Sequence, residues 1–151
     1  MTTLSFTFST GGLYYVALTG TKANPTFHSK DKIALPANHT VPQTVAWFEN
    51  QLEILLNNIQ PDKVSYKLTI NNVTNNMVHN CYYGQAILNS LCHKKAISIS
   101  HTSPSAIVVS KFGLPKNSDL HAHIDNLIGT HPPHWDGKMK DTALISLILL
   151  P

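Results

Sequence analysis

At 151 residues, with 42% hydrophobic and only 13% charged side chains, the chain is long enough to bury one sizeable core and lacks the composition of a disordered segment. Its size fits a single domain, 1–151, and argues against two. The net charge of +3 comes from 11 lysines and no arginine against 8 acids, with Lys94-Lys95 the only adjacent pair, which is a weak footprint for a dedicated duplex binder because a lysine is a point charge without the bidentate fork of arginine.

Leu4, Phe6 and Phe8 alternate with Ser5, Thr7 and Ser9 before a Gly11-Gly12 turn and the β-rich run Leu13 to Thr19, which predicts a hairpin. A third strand follows from Thr26 to Leu35, closed by Pro36. Thr40 and Gln43 make a capping box, and Val41, Val45, Phe48, Leu52, Leu55 and Ile59 recur at helical spacing, so a helix runs from about Val41 to Asn58. Val64, Tyr66 and Leu68 alternate as a fourth strand after Pro61-Asp62, and an Asn-rich loop, Asn71 to Asn76, comes next. Met77, Cys81, Gly84, Leu88 and Leu91 form a narrow stripe on a second helix to about His93, where Gly84 permits close approach to the sheet or to a partner. Ala96 to Ser100 is a short strand, Ser103-Pro104-Ser105 starts a short helical segment, and Ser118 can cap a helix carrying Leu120, Ile124, Leu127 and Ile128 to Gly129. His131-Pro132-Pro133-His134 is a loop, and a last helix runs from about Gly137 through Ile148. Three strands, helix, strand, helix, strand and further helices fit one mixed sheet with helices on its faces.

Cys81 and Cys92, 11 apart on one helix, are too far separated to bridge. Reduced thiols, a start without a basic segment before an apolar one, and no apolar run of membrane-spanning length indicate the cytoplasm and no membrane partner. The sequons at Asn38 and Asn72 then carry no glycan. Neither a Gly-x-Ser-x-Gly elbow nor a glycine-rich phosphate loop with its lysine occurs, which removes the commonest nucleophile and nucleotide signatures.

Four stretches, spread in order over nearly the whole chain, carry a resemblance. They are Ser9-Thr10-Gly11 with Leu13-Tyr14-Tyr15-Val16-Ala17-Leu18; Gln60-Pro61-Asp62-Lys63-Val64-Ser65-Tyr66-Lys67; Gly84-Gln85-Ala86; and Lys140-Asp141-Thr142-Ala143-Leu144-Ile145-Ser146-Leu147. They resemble the Asp-Pro-Gly turn with its second strand, the strand bearing a catalytic Glu, a helical Gly-Gln-Ala and the acid-led closing helix of the RuvC-type Holliday-junction resolvase branch of the RNase H-like superfamily. The resemblance implies an α/β fold, an RNase H-like mixed five-stranded sheet in the order 3-2-1-4-5 with helices on its faces. The first three strands are then antiparallel and the last two parallel.

Resolvases of this kind cut phosphodiesters with two divalent ions about 4 Å apart, held by converging carboxylates. Position by position, the family's first-strand Asp falls on Ser9, its fourth-strand Glu on Lys67, and the two acids of its closing helix on Asp141 and Leu144, unless the register shifts by three and Asp141 is itself the second. One carboxylate of about four remains, and a lysine ammonium in a metal pocket repels cations. The expectation is a degenerate, non-cleaving RuvC-like protein without a cofactor, kept as a nucleic-acid-binding or scaffolding module. Ser9, Lys67 and Asp141 should lie close together. Lys63, Lys67, Lys138 and Lys140 would face phosphates and Trp135 would stack on an unpaired base, giving weak binding of branched or single-stranded nucleic acid.

Two alternatives stand beside it. Nine histidines, densest near the end of the chain, permit a metal-dependent nuclease or phosphodiesterase holding Mg²⁺ or another divalent ion on His131, His134, Asp136 and Asp141. His121 and Asp125, one helical turn apart, can share an ion or a hydrogen bond. The other alternative is a protein-interaction subunit. Tyr82 and Tyr83 beside Gly84 either cover a homodimer seam or simply pack, and Trp47 belongs to the core rather than to a binding platform.

Overall fold

The structure, a computed structural model, describes residues 1–70 and 76–151, and of Asn76 and Met77 only the backbone. The expected Asn-rich loop, the sequon at Asn72 and the place of Met77 on its helix stripe lie outside the described residues.

Five strands, β1 (Thr2–Ser9), β2 (Gly12–Gly20), β3 (Pro25–Ala34), β4 (Lys63–Lys67) and β5 (Ser98–Thr102), form one sheet in the order β3-β2-β1-β4-β5. β1, β2 and β3 pair antiparallel, and β4 and β5 add in parallel. The parallel additions need long crossovers, supplied by helices α1 (Val41–Ile59) and α2 (Asn76–Lys94). Helices α3 (Leu120–Ile128) and α4 (Gly137–Leu149) complete the chain. The expected sheet order and strand directions are therefore those observed.

Alternation along the central strands divides the core in two. Leu4, Phe6 and Phe8 of β1, Leu13 and Ala17 of β2, and Val64 and Tyr66 of β4 meet Phe48 and Leu52 of α1 and Cys81, Leu88 and Leu91 of α2. Full burial of each large apolar side chain contributes about 1.5–3 kcal/mol. On the opposite face Tyr14, Val16 and Leu18 of β2 meet Ile124 of α3 and Met139, Ala143, Leu144 and Leu147 of α4. Under α4 the central strand β1 turns hydroxyls inward: Thr3 Oγ1 lies 2.8 Å from Ser146 Oγ, and Thr7 Oγ1 lies 2.7 Å from Thr142 Oγ1. Small hydroxyl side chains let α4 sit close over β1 and β4, and their mutual hydrogen bonds offset the cost of burying them.

Three local expectations are corrected. The buried stripe of α1 is Thr44, Phe48, Leu52, Leu55 and Leu56, and Val41, the first residue of the helix, is 56% exposed. β5 begins two residues later than expected, since Ala96, in the left-handed region at φ 55°, and the Ile97 amide bonded to Cys92 O close α2 first. Asp119, not Ser118, caps α3, accepting from the amides of His121 and Ala122, while Ser118 Oγ donates to Pro115 O. Among the described residues no helix is long and apolar enough to cross a membrane.

Candidate functional site

β1 and β4 run parallel side by side, so their carboxyl ends open together at one edge of the sheet, the usual place for a ligand in an open α/β sheet. Thr7 and Ser9 of β1 and Lys67 of β4 reach that end on the α4 side, and Lys138 comes down from the first turn of α4. All four line a cavity of about 270 Å³ with Thr10 and Thr69. Ser9 Oγ donates to Gly12 O at 3.3 Å, and Thr69 Oγ1 accepts from Gln85 Nε2 at 2.5 Å.

Lys67 Nζ stands 2.6 Å from Asp141 Oδ2, and His121 Nε2 lies 2.8 Å from Asp141 Oδ1. Both carboxylate oxygens are thus engaged, and Asp141 is not among the residues that line the cavity. Ser9 and Lys67 share one cavity and Lys67 joins Asp141, the grouping expected from the sequence. Leu144 does not belong to it, because one turn further along α4 it is fully buried in the second core.

A second carboxylate is held in the same way. Asp125 of α3 accepts from Trp135 Nε1 and from Lys140 Nζ, each at 2.6 Å. Burial pushes its carboxyl up, but the hydrogen bonds from Lys140 and Trp135 and the charge of Lys140 outweigh it and hold the group below the ordinary value. His121 and Asp125 therefore find separate partners on α4 and its approach, and do not join each other across the turn. Burial also pushes both thiols up, Cys92 to about 11 and Cys81 in the same direction, which keeps them protonated.

The expected nucleic-acid residues divide accordingly. Lys138 is exposed at the cavity, with Nζ 5.9 Å from the centre of the Tyr14 ring, and has no acidic partner among the described residues. Lys67 faces the same cavity through its pair with Asp141. Lys140 and Trp135 are committed to Asp125, and Trp135 also packs edge-on against His131 at 5.2 Å. Lys63 begins β4 and stands about 13 Å from Lys67 along the strand, at the opposite end of the sheet. One lysine without a sequence signal comes near Lys138: Lys32 pairs with Tyr14 across β3 and β2, and its Nζ lies 5.4 Å from the same Tyr14 ring centre.

The alternative metal site does not assemble. His131 stacks on Phe27 at 3.6 Å and bonds Ile128 O, Asp136 caps α4 at the Met139 amide, Asp141 is held by Lys67 and His121, and His134 is exposed. Among the described residues no three His, Cys, Asp or Glu side chains come together to hold a metal ion. The strand-end cavity fits a divalent pair no better, since its lining includes two lysines and no acidic residue. Gly84 serves the sheet, with the position of a Cβ lying 2.4 Å from the Phe8 ring. Tyr83 packs beside the first core and Trp47 stands edge-on to Phe48 there, while Tyr82 is 41% exposed.

A five-stranded mixed sheet in this order, flanked by helices and with its site at the ends of β1 and β4, is an RNase H-like fold. Within that class the chain has the RuvC-type architecture. It matches Thermus thermophilus RuvC in complex with a Holliday junction substrate at a TM-score of 0.79 and 10% identity, over 98% of this chain and 91% of that one. A second Thermus thermophilus RuvC structure gives 0.78 and 10%, over 98% and 92%. The yeast mitochondrial Holliday junction resolvase gives 0.75 and 9%, over 97% of this chain and 76% of that one. No protein-family model and no curated protein matches the sequence.

Proposed function

We propose that this chain is a catalytically degenerate RuvC-fold protein that binds branched or single-stranded nucleic acid weakly and does not cut it. One observation carries the reading: Lys67 and Lys138 stand where converging carboxylates would have to hold two metal ions, and the one acid nearby is neutralised between Lys67 and His121. The same exchange that repels cations attracts phosphate. Lys32 and Lys138 bring their ammonium groups to 5.4 and 5.9 Å from the centre of the buried Tyr14 ring, and Lys138 shares the strand-end cavity with Lys67, a grouping of charge suited to a phosphate backbone. Thermus RuvC, a protein of the same fold, is seen with a Holliday junction, which supports nucleic acid as the partner class. Without arginine the contacts are single ammonium points, so binding is micromolar and sequence-independent. Two thiols kept protonated and unpaired suit a reducing cytoplasm.

A titration of labelled four-way and single-stranded DNA at low salt tests this. Two or three lysine contacts give a slope of log affinity on log salt of roughly −2 to −3, and Lys32→Glu with Lys138→Glu should flatten it by about two contacts. Absence of binding below about 100 μM, where non-specific contact already begins, would replace the nucleic-acid reading with a protein-interaction role.

A further inference from the structure

We infer that the strand-end cavity is a metal-free site for a terminal phosphate, a phosphate monoester dianion held by Lys67 and Lys138. The inference deepens the proposed function and rests on its premise that the cavity no longer takes metal. Three features of the cavity select this ligand. The lining includes two lysines and no acidic residue, the neighbouring Asp141 being held between Lys67 and His121. Lys67 spends one of its three N–H donors on Asp141, which leaves two, and Lys138 has no acidic partner among the described residues. Thr10 adds a hydroxyl to the lining, beside Ser9, which donates to Gly12 O, and Thr69, which is held between Gln85 and Cys81.

Size and charge then choose between kinds of phosphate. At about 270 Å³ the cavity lies below the roughly 300–1,000 Å³ of drug-sized pockets, so it takes a small group and leaves the rest of a larger molecule outside. A phosphodiester within a strand brings one negative charge and two bulky substituents. A phosphate monoester brings close to two charges, three acceptor oxygens and one substituent, which suits a small cavity lined by two lysines. The ligand is therefore the phosphorylated end of a nucleic-acid strand or a small phosphorylated molecule, and the experiment separates the two.

The full chain is titrated, free of divalent metal and at low salt, with inorganic phosphate and with a short single-stranded oligonucleotide carrying or lacking a 5′-phosphate. Saturable phosphate binding is expected, weakened about tenfold or more in Lys138→Gln by loss of one charge-assisted hydrogen bond. Lys138 is exposed, so this variant should fold, and Lys67→Gln, expected to weaken binding similarly, gives an independent check. The phosphorylated oligonucleotide should bind more tightly than its unphosphorylated twin, with the difference gone in Lys138→Gln. No saturable phosphate binding, or binding unchanged in both variants, overturns the inference. Equal affinity for the two oligonucleotides with no phosphate binding does so while leaving backbone binding intact. Phosphate binding without any oligonucleotide binding keeps the site, assigns it to a small phosphorylated molecule, and overturns the nucleic-acid reading instead.

Discussion

Lys67 and Asp141 are each about a quarter exposed, at 22% and 25%, and a pair in that setting contributes on the order of 1 kcal/mol or less. Its importance is charge cancellation rather than stability. Lys67→Met should cost about 1 kcal/mol or less in a urea titration, because Asp141 keeps His121. Lys67→Glu should cost more at neutral pH, since a second carboxylate then faces Asp141, and the excess should shrink as acid protonates one of the two. Asp125 gives a second pH signature. Its folded pKa is lowered from 3.8, so its contribution is fully present above that value and is lost as pH falls through the folded one. The stability difference between the native chain and Asp125→Asn should accordingly be constant near neutrality and decline below about pH 4, measured by denaturant titration across that range. These partnerships were only partly legible in the sequence. The Ser9, Lys67 and Asp141 grouping followed from the resemblance, but the spacing of His121 and Asp125 suggested a pair within one helix turn. Helix packing overrode it: α4 presents Asp141 to one residue, and Lys140 with the preceding Trp135 to the other.

Among the elements, those with a strong local signal were readable. The β1–β2 hairpin has its alternation and glycine turn, and α1 has its capping box, present as reciprocal bonds between Thr40 and Gln43. Boundaries set by backbone geometry were not: nothing in Lys95-Ala96-Ile97 announces the left-handed residue that closes α2 and delays β5. The polar underside of α4 was equally hidden, because nothing in the sequence pairs Thr3 with Ser146 or Thr7 with Thr142. Gly84 shows how tightly α2 lies on the sheet. Alanine there gains about 1 kcal/mol of helix propensity but drives a methyl into the buried Phe8 ring, and overpacking of that kind costs about 1–3 kcal/mol. Gly84→Ala should therefore lower the melting temperature, or at best leave it unchanged; a clear rise in the thermal transition would show that α2 does not approach β1 this closely.

At the scale of the molecule, the proposed function rests on residues that no sequence window contains. Lys32 on β3, Lys67 on β4 and Lys138 on α4 lie far apart in the chain and meet only at the end of the sheet, so scattered lysines that look like a weak footprint become a grouping of positive charge. The reverse holds for Lys63, Lys140 and Trp135, which the resemblance groups with the site and the fold places at the far end or in intramolecular bonds. Two-metal hydrolysis asks for converging carboxylates, and beside this cavity Asp141 is paired with Lys67 and His121 while the lining carries two lysines and no acid. Incubation of a labelled four-way junction with excess protein, in Mg²⁺ or Mn²⁺, tests that account most directly. Strand products should stay at the level of the metal-free control, whereas metal-dependent incision abolished by Asp141→Ala would contradict it.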